Sequence, residues 1–454
     1  MAQATTIRTE LENYMELKAL NISQLGKISG LNPGTISSIL SGNKVIAVDQ
    51  LDRITTVMGL EHGHFYEQYI EECLINAPLN WRRIRPFLYR CAELGKLSCM
   101  EKAVALLIDN LTYSPLLFET AEDFFQDNKR EAAAILYDVV ASSERRQHSE
   151  RLALCQYRLF SLRLGEDHSK NLQAAIQFEP FVERLDEIDQ LDALKDLANT
   201  YRSLRRWDKV EEVAKEMGRK AEILYFMSQS SRRRRSLDEK KPSKLLFTYV
   251  AYAYLLQANV YDETGEYNQA LQYIELYADL SWVKEDDPDT LHAIRLFESW
   301  AENNRLVVRL LSGDLSILDE YVQSFRSQND ELLTGLLNIS TAANRHNFNI
   351  DYILVEFIND ISELITTQET NQRYTTRTTF DRYIELMVEL TKYYLNSGNY
   401  APGFNSLISG LSNSVFRNKK DCILQFIKLF EQYNKFASEG IREKYSNIIS
   451  NMSV

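Results

Sequence analysis

Glycine and proline are scarce, at 16 and 8 among 454 residues. These two residues supply most of the tight turns that a β-rich chain needs, so their scarcity argues against a sandwich or barrel and for helices joined by short turns. Cysteine is scarce as well: five stand at 73, 91, 99, 155 and 422, with no CxxC pair and an odd one over. That pattern suits a reducing compartment better than a disulfide framework, so a cytoplasmic location is expected. No run of about 18 uncharged apolar residues occurs, and the polar start MAQATTIRTELENYMELK has no apolar signal core, so no membrane segment is expected. Positive charge is also in deficit, the net charge being −12. In residues 1–60, Arg8, Lys18, Lys27, Lys44 and Arg53 balance Glu10, Glu12, Glu16, Asp49 and Asp52, which places the whole acidic excess beyond residue 60. A neutral head on an acidic body allows contact with DNA through the head alone.

Catalytic patterns are missing too. There is no GxSxG, no glycine-rich phosphate loop and no HExxH; Glu61-His62-Gly63-His64 sets its histidines two apart, a spacing that does not bring them to one helix face. The carboxylates are scattered as on solvated helix faces. Neither an enzyme activity nor a cofactor or metal is expected.

What is present is helical periodicity. Ile7, Leu11, Tyr14, Met15 and Leu17 mark a first helix over residues 7–19. Asn21 stands three residues before Gln24 in the pattern of a capping box, which predicts a short helix from Ile22 to Ser29 stopped by Gly30. Asn32-Pro33 restarts the chain with an N-cap and a proline at the first helical position, predicting a helix from Gly34 to Leu40 that ends at Ser41-Gly42. Leu51, Ile54, Val57, Met58 and Leu60 mark a further helix behind Asp49.

The stretch from Asn21 to Leu60 resembles the helix-turn-helix of the phage-repressor-like (Xre/Cro) superfamily. Leu25 and Ile28 match the core of the first motif helix, Gly30 the turn, Leu31 and Ile36 the packing between helices, and Gly42 the end of the recognition helix. Leu51, Ile54 and Leu60 close the core. The resemblance implies a DNA-binding domain over residues 1–62 with double-stranded DNA as its partner. Asn32, Gly34, Thr35, Ser37 and Ser38 would form the recognition face, with Asn43 and Lys44 at backbone phosphates. The sequence departs from the family in two places. Ile22 stands where a glutamine often holds a phosphate, and the recognition face lacks arginine or glutamine for bidentate base contacts, so specificity would rest on shape and backbone contacts. An ordinary helical hairpin with a glycine turn is the alternative.

Residues 63–454 read as helices of repeating length. The clearest unit, Lys244 to Leu280, follows a tetratricopeptide pattern: Tyr254, Ala258 and Tyr261 on a first helix, Gly265 and Tyr267 at the turn, Ala270, Ile274 and Tyr277 on a second. Small residues at 258 and 270 let two helices approach closely while aromatics fill the space beside them. Leu197, Ala198, Tyr201, Trp207, Val210 and Ala214 repeat the grid, as do Leu390, Tyr394, Gly398, Tyr400 and Leu407; Ala121, Phe124, Ala133 and Tyr137 follow it less closely, and Gly313, Leu315, Leu318 and Val322 less closely still. The expected fold is all-α: a helix-turn-helix bundle followed by a tetratricopeptide-like right-handed α-solenoid with a concave face.

On that grid Asn199 and Asn259 fall at one place, a residue after the small Ala198 and Ala258, which points them into the groove. A side-chain amide donates and accepts together and so can pair with a peptide backbone of any sequence. Lys195, Arg202, Tyr252, Leu255 and Asp262 are the neighbouring groove positions, with Asn303, Asn338 and Asn344 continuing the row. Asparagines that bond turns or solvent are the other reading. The basic run Arg232 to Arg235 is open to two readings as well, a solvated loop or a contact with DNA or an acidic partner.

An Xre-type head followed by divergent tetratricopeptide repeats resembles, along the full chain, the RRNPP family of peptide-sensing transcriptional regulators, the group of Rgg, PlcR, PrgX and the phage arbitrium receptors. The resemblance implies a homodimer that binds promoter DNA and is controlled, as in quorum sensing, by a short signalling peptide in the repeat groove. A tetratricopeptide adaptor for a protein partner, its head only structural, is the rival.

Overall fold

The computed structural model describes residues 6–147, 149–165, 167–230, 240–326, 329–357, 376–416 and 419–452. Every regular element among them is helical, so the protein is all-α. No helix among the described residues is long and apolar enough to cross a membrane. The chain divides into two compact units, one formed by Met1–Lys209 with Arg234–Ser243 and the other by Val210–Arg233 with Lys244–Val454.

The first unit opens with α1 (Ile7–Leu17), α2 (Ile22–Ser29), α3 (Pro33–Leu40) and α4 (Val48–Val57). The capping box at Asn21 forms in both directions, each bond at 2.9 Å. Asn32 caps α3 by accepting from the Gly34 N–H at 2.8 Å, with Pro33 at the first helical position. Gly30 sits in the left-handed region at φ 65°, which a β-carbon would strain, and so turns α2 sharply into α3. Gly26 is needed for a different reason: a β-carbon there would lie 2.8 Å from the Leu31 carbonyl oxygen. The inward arc of α2 is Leu25, Gly26 and Ser29. Ile28, expected in the core, lies off that arc and is 52% exposed, while Ser29 is buried and donates its hydroxyl to the Leu25 carbonyl at 2.7 Å.

Helices α5 (Tyr66–Tyr69, running on as a π-helical Ile70–Ile75), α6 (Trp81–Glu93) and α7 (Leu97–Ala105) follow. Then come α8 (Ser114–Gln126), α9 (Arg130–Ser143), α10 (Glu150–Arg163), α11 (His168–Phe178) and α12 (Glu187–Ser203). The head is not a separate ball on this body. One continuous apolar core runs from Ile7 and Leu11 through Leu51, Tyr66 and Phe87 to Leu136 and Leu159. At the joint, Asp52, only 7% exposed, accepts from the Arg90 Nε at 2.7 Å and from the Tyr66 hydroxyl at 3.0 Å. Burial first, and then the Asp52 charge, raise the Tyr66 phenol far above its ordinary value, so it stays a donor. The Ile7 N–H adds a bond to Glu72 at 2.8 Å.

Helix α13 (Trp207–Ser230) leads into the second unit. There stand α14 (Leu246–Glu263), α15 (Tyr267–Ala278), α16 (Pro288–Leu311), α17 (Leu318–Arg326), α18 (Asn329–His346) and α19 (Asp351–Glu356). After them come α20 (Thr376–Asn396), α21 (Tyr400–Phe416), α22 (Lys420–Tyr433) and α23 (Glu439–Ser450). Helices α14 and α15 form the pair expected from the repeat pattern, with Ala258, Ala270, Ile274 and Tyr277 buried between them. Each large side chain so buried contributes about 1.5–3 kcal/mol of transfer energy.

One turn recurs through both units. Asn128, Arg205, Gly265 and Gly398 each take a left-handed φ, at 57°, 55°, 80° and 81°. In each case the next N–H reaches back five residues to close the helix end: Lys129 to Phe124 at 2.8 Å, Arg206 to Tyr201 at 3.0 Å, Glu266 to Tyr261 at 2.7 Å, Asn399 to Tyr394 at 2.8 Å. These four turns end α8, α12, α14 and α20, where the repeat grid expects the bend between paired helices.

Candidate functional site

The head's outer surface is set by α3. Ile36 and Ile39 point into the core, which leaves Asn32, Gly34 and Ser37 exposed and Thr35 and Ser38 partly exposed. Two of these side chains already serve the backbone: the Asn32 carbonyl oxygen holds the Gly34 N–H, and the Ser38 hydroxyl donates to the Gly34 carbonyl at 2.8 Å. Thr35 and Ser37 are the hydroxyl-bearing α3 side chains with no such bond among the described residues. Asn43 and Lys44 are exposed just beyond the helix, and both of their N–H groups bond the Ser38 carbonyl, at 3.0 and 3.2 Å, which fixes the turn but uses up the amides. Any phosphate held there must be held by side chains.

One cation at this surface was not legible in the spacing. Gly42 has φ 75°, and a β-carbon on it would collide with the Arg8 guanidinium. Arg8, from the first turn of α1, therefore lies against Gly42 just beyond the end of α3. The only sequence signal was a glycine after the recognition helix, read as a helix stop; its second use, as room for an arginine, depends on how α1 packs.

Of the groove positions, Lys195, Asn199 and Arg202 belong to the first unit, on α12. Lys195 is half-buried and paired with Asp192 at 3.2 Å and Asp196 at 3.6 Å, so its charge is already balanced. Asn199 lines a cavity of about 250 Å³ with Leu164, Asn171, Asp196, Thr200 and Ser203. Tyr157 donates to Asp196 at 2.7 Å on the same face. Arg202 is exposed.

Tyr252, Leu255, Asn259, Asp262 and Asn303 belong to the second unit. Tyr252, Asn259 and Asn303 are half-buried. Leu255, at 7% exposure, packs in the core of the α14–α15 pair, where a peptide would not reach it. Asn338 and Asn344 serve the fold: Asn338 donates to the Tyr321 hydroxyl at 2.8 Å, and Asn344 to the Glu389 carbonyl and carboxylate, both at 2.8 Å. Asp262 stands out, because its Oδ1 is buried with no hydrogen-bond partner among the described residues. Burial pushes its carboxyl up to about 7, reinforced by Glu263 and opposed by Arg345.

One cluster has the ligand types for a cation, Glu150 with Asp186 and Asp189, but the Lys240 ammonium already pairs with both aspartates. Asp186 is also the N-cap of α12, accepting from the Ile188 and Asp189 amides at 2.9 and 3.0 Å. The run Arg232 to Arg235 lies outside the described residues. No protein-family model matches the chain, and no curated protein matches it.

Proposed function

We propose that this protein is a cytoplasmic, DNA-binding transcriptional regulator of the RRNPP type, a homodimer controlled by a short peptide held on the faces of its helical repeats. The observation that carries the reading is the α2–α3 unit. A capped eight-residue helix, a left-handed Gly30 and a second eight-residue helix with its apolar side turned inward make up the proportions of a helix-turn-helix. Arg8, Asn43 and Lys44 supply phosphate-binding groups at one end of α3, and Thr35 and Ser37 supply base-facing hydroxyls. With so few base-reading groups a single head binds weakly, and two linked heads gain effective concentration, which is why a dimer belongs to the proposal.

The repeat-type helix pairs and the orphaned Asp262 oxygen support the peptide half. A tetratricopeptide-like pair presents its first helix on a concave face, where Asn199 in the first unit and Asn259 in the second would each, within its own unit, pair with peptide amides. A buried carboxylate oxygen without a donor is a group that the N–H of a bound chain would satisfy. The test is a gel shift of the full chain on duplex DNA flanking its own gene, with and without a pool of synthetic hexapeptides, alongside light scattering for mass. A shift that the pool changes, from a dimer, supports the reading; no shift at any salt concentration, or a monomer on DNA, ends it.

A second reading is favoured by the continuous core between the head and α5–α10 and by the Asp52 joint. In it the head is a structural cap on an adaptor that binds a protein partner. The same gel shift separates the two.

A further inference from the structure

The loop between α9 and α10 carries two adjacent arginines that no carboxylate neutralises among the described residues. Several arginines elsewhere are ion-paired: Arg90 to Asp52, Arg151 to Glu144, Arg158 to Glu122, Arg163 to Asp138, Arg305 to Glu275, Arg309 to Asp314. Arg145 and Arg146 are adjacent and exposed, and neither guanidinium has an ion pair or hydrogen bond among the described residues. Their nearest carboxylate in sequence, Glu144, is turned away. It is 1% exposed and consumed by Arg151 and the Ser149 hydroxyl, each at 2.6 Å. The loop is thus built so that two positive charges stay unneutralised on a chain of net charge −12.

These arginines border a cavity of about 680 Å³, lined by Leu111, Ser142, Ser143, Arg145, Arg146 and Gln147. No acid lines it. The Ser143 hydroxyl is used by the Ile108 and Val139 carbonyls, both at 2.9 Å, which ties the cavity wall to the end of α9. The Ser142 hydroxyl and the Gln147 side-chain amide make no hydrogen bond among the described residues and remain as donors, and Leu111 contributes an exposed apolar face. The volume is that of a small-molecule site and far exceeds what a bare oxyanion fills.

We infer that this cavity binds a small phosphate monoester, with Arg145 and Arg146 on the phosphate, Ser142 and Gln147 as further donors, and Leu111 against the organic part. Guanidinium forks match phosphate oxygens in bidentate geometry, and two of them balance the charge of close to −2 that a monoester carries at neutral pH, twice that of a DNA diester. The inference is independent of the DNA-binding proposal.

The experiment is calorimetry on the full chain with inorganic phosphate and with a nucleoside monophosphate, at ionic strength held constant with chloride. Saturable binding of the monophosphate is expected, weakened about tenfold or more by Arg145→Ala and further by the double variant with Arg146→Ala, consistent with the strength of hydrogen bonds to charged groups. Both positions are exposed, so the variants stay folded, which circular dichroism checks. Three results overturn the inference: no saturable binding of either probe, equal binding by the double variant, or a double variant that loses affinity for duplex DNA while keeping it for the monophosphate.

Discussion

Replacing Asp262 by asparagine keeps the shape of the side chain and removes its charge. In the folded protein burial, with Glu263 assisting, pushes this carboxyl from 3.8 up to about 7. The shift of about three units corresponds to about 4 kcal/mol against folding with the group ionised, an order-of-magnitude ceiling because the denatured state retains some structure. The sign follows from proton binding. Below the unfolded value of 3.8 both states are protonated and nothing is lost. Between 3.8 and about 7 the folded state holds a proton that the unfolded state has released, so stability falls as pH rises, and above about 7 the full cost is present. Asp262→Asn should therefore be more stable than the parent by about 2–4 kcal/mol at pH 8 and by much less at pH 4.5. Urea denaturation followed by circular dichroism at the two pH values measures this, and the difference between differences cancels every other titrating group. A variant whose advantage is the same at both pH values, or which is less stable at pH 8, refutes the assignment of Asp262 as a half-buried carboxyl whose Oδ1 lacks a donor.

Three further outcomes are expected. Asp52→Ala should destabilise the first unit by about 2–3 kcal/mol, less than a wholly buried pair because Arg90 is partly exposed, while Tyr66→Phe costs about 1 kcal/mol; thermal unfolding reads both. Arg205→Gly should stabilise by about 0.5–1 kcal/mol by relieving a left-handed side chain, and Gly265→Ala should destabilise by about 1 kcal/mol, both read by urea midpoints. Thr35→Ala should change which duplex sequences are preferred in a binding selection, with little change in stability, since Thr35 packs in no core.

The local reading of the sequence succeeded where chemistry is local. The Asn21 capping box, the Asn32-Pro33 helix start, and the glycine turns at 30, 265 and 398 were all legible, because each is decided within a few residues. The same turn went unread at Asn128 and Arg205, where the chain takes the left-handed conformation without glycine, and repeat periodicity alone cannot announce that. The resemblance to the Xre/Cro motif puts Ile28 in the core, whereas the arc of α2 that faces inward is Leu25, Gly26 and Ser29, with Gly26 in close approach to the Leu31 carbonyl. Contacts over long separations were out of reach. The bond from Arg90 to Asp52 spans 38 residues, and the seat of Arg8 against Gly42 depends on how α1 crosses α3. Leu255, Asn338 and Asn344 show the same limit at the repeat faces, since spacing gives a helical face but not what a neighbouring helix already occupies.

The proposed function rests on contact between DNA and the outer face of α3 with the turn after it. Its most direct measurement is fluorescence anisotropy of the full chain on labelled duplex DNA flanking its gene, across a range of salt, for the parent and for Lys44→Ala. Binding by the parent should weaken steeply with salt, and the variant should be weaker on every sequence with a log–log salt slope reduced by about one. A parent that does not bind duplex DNA, or a Lys44→Ala chain with unchanged affinity and salt slope, would contradict it.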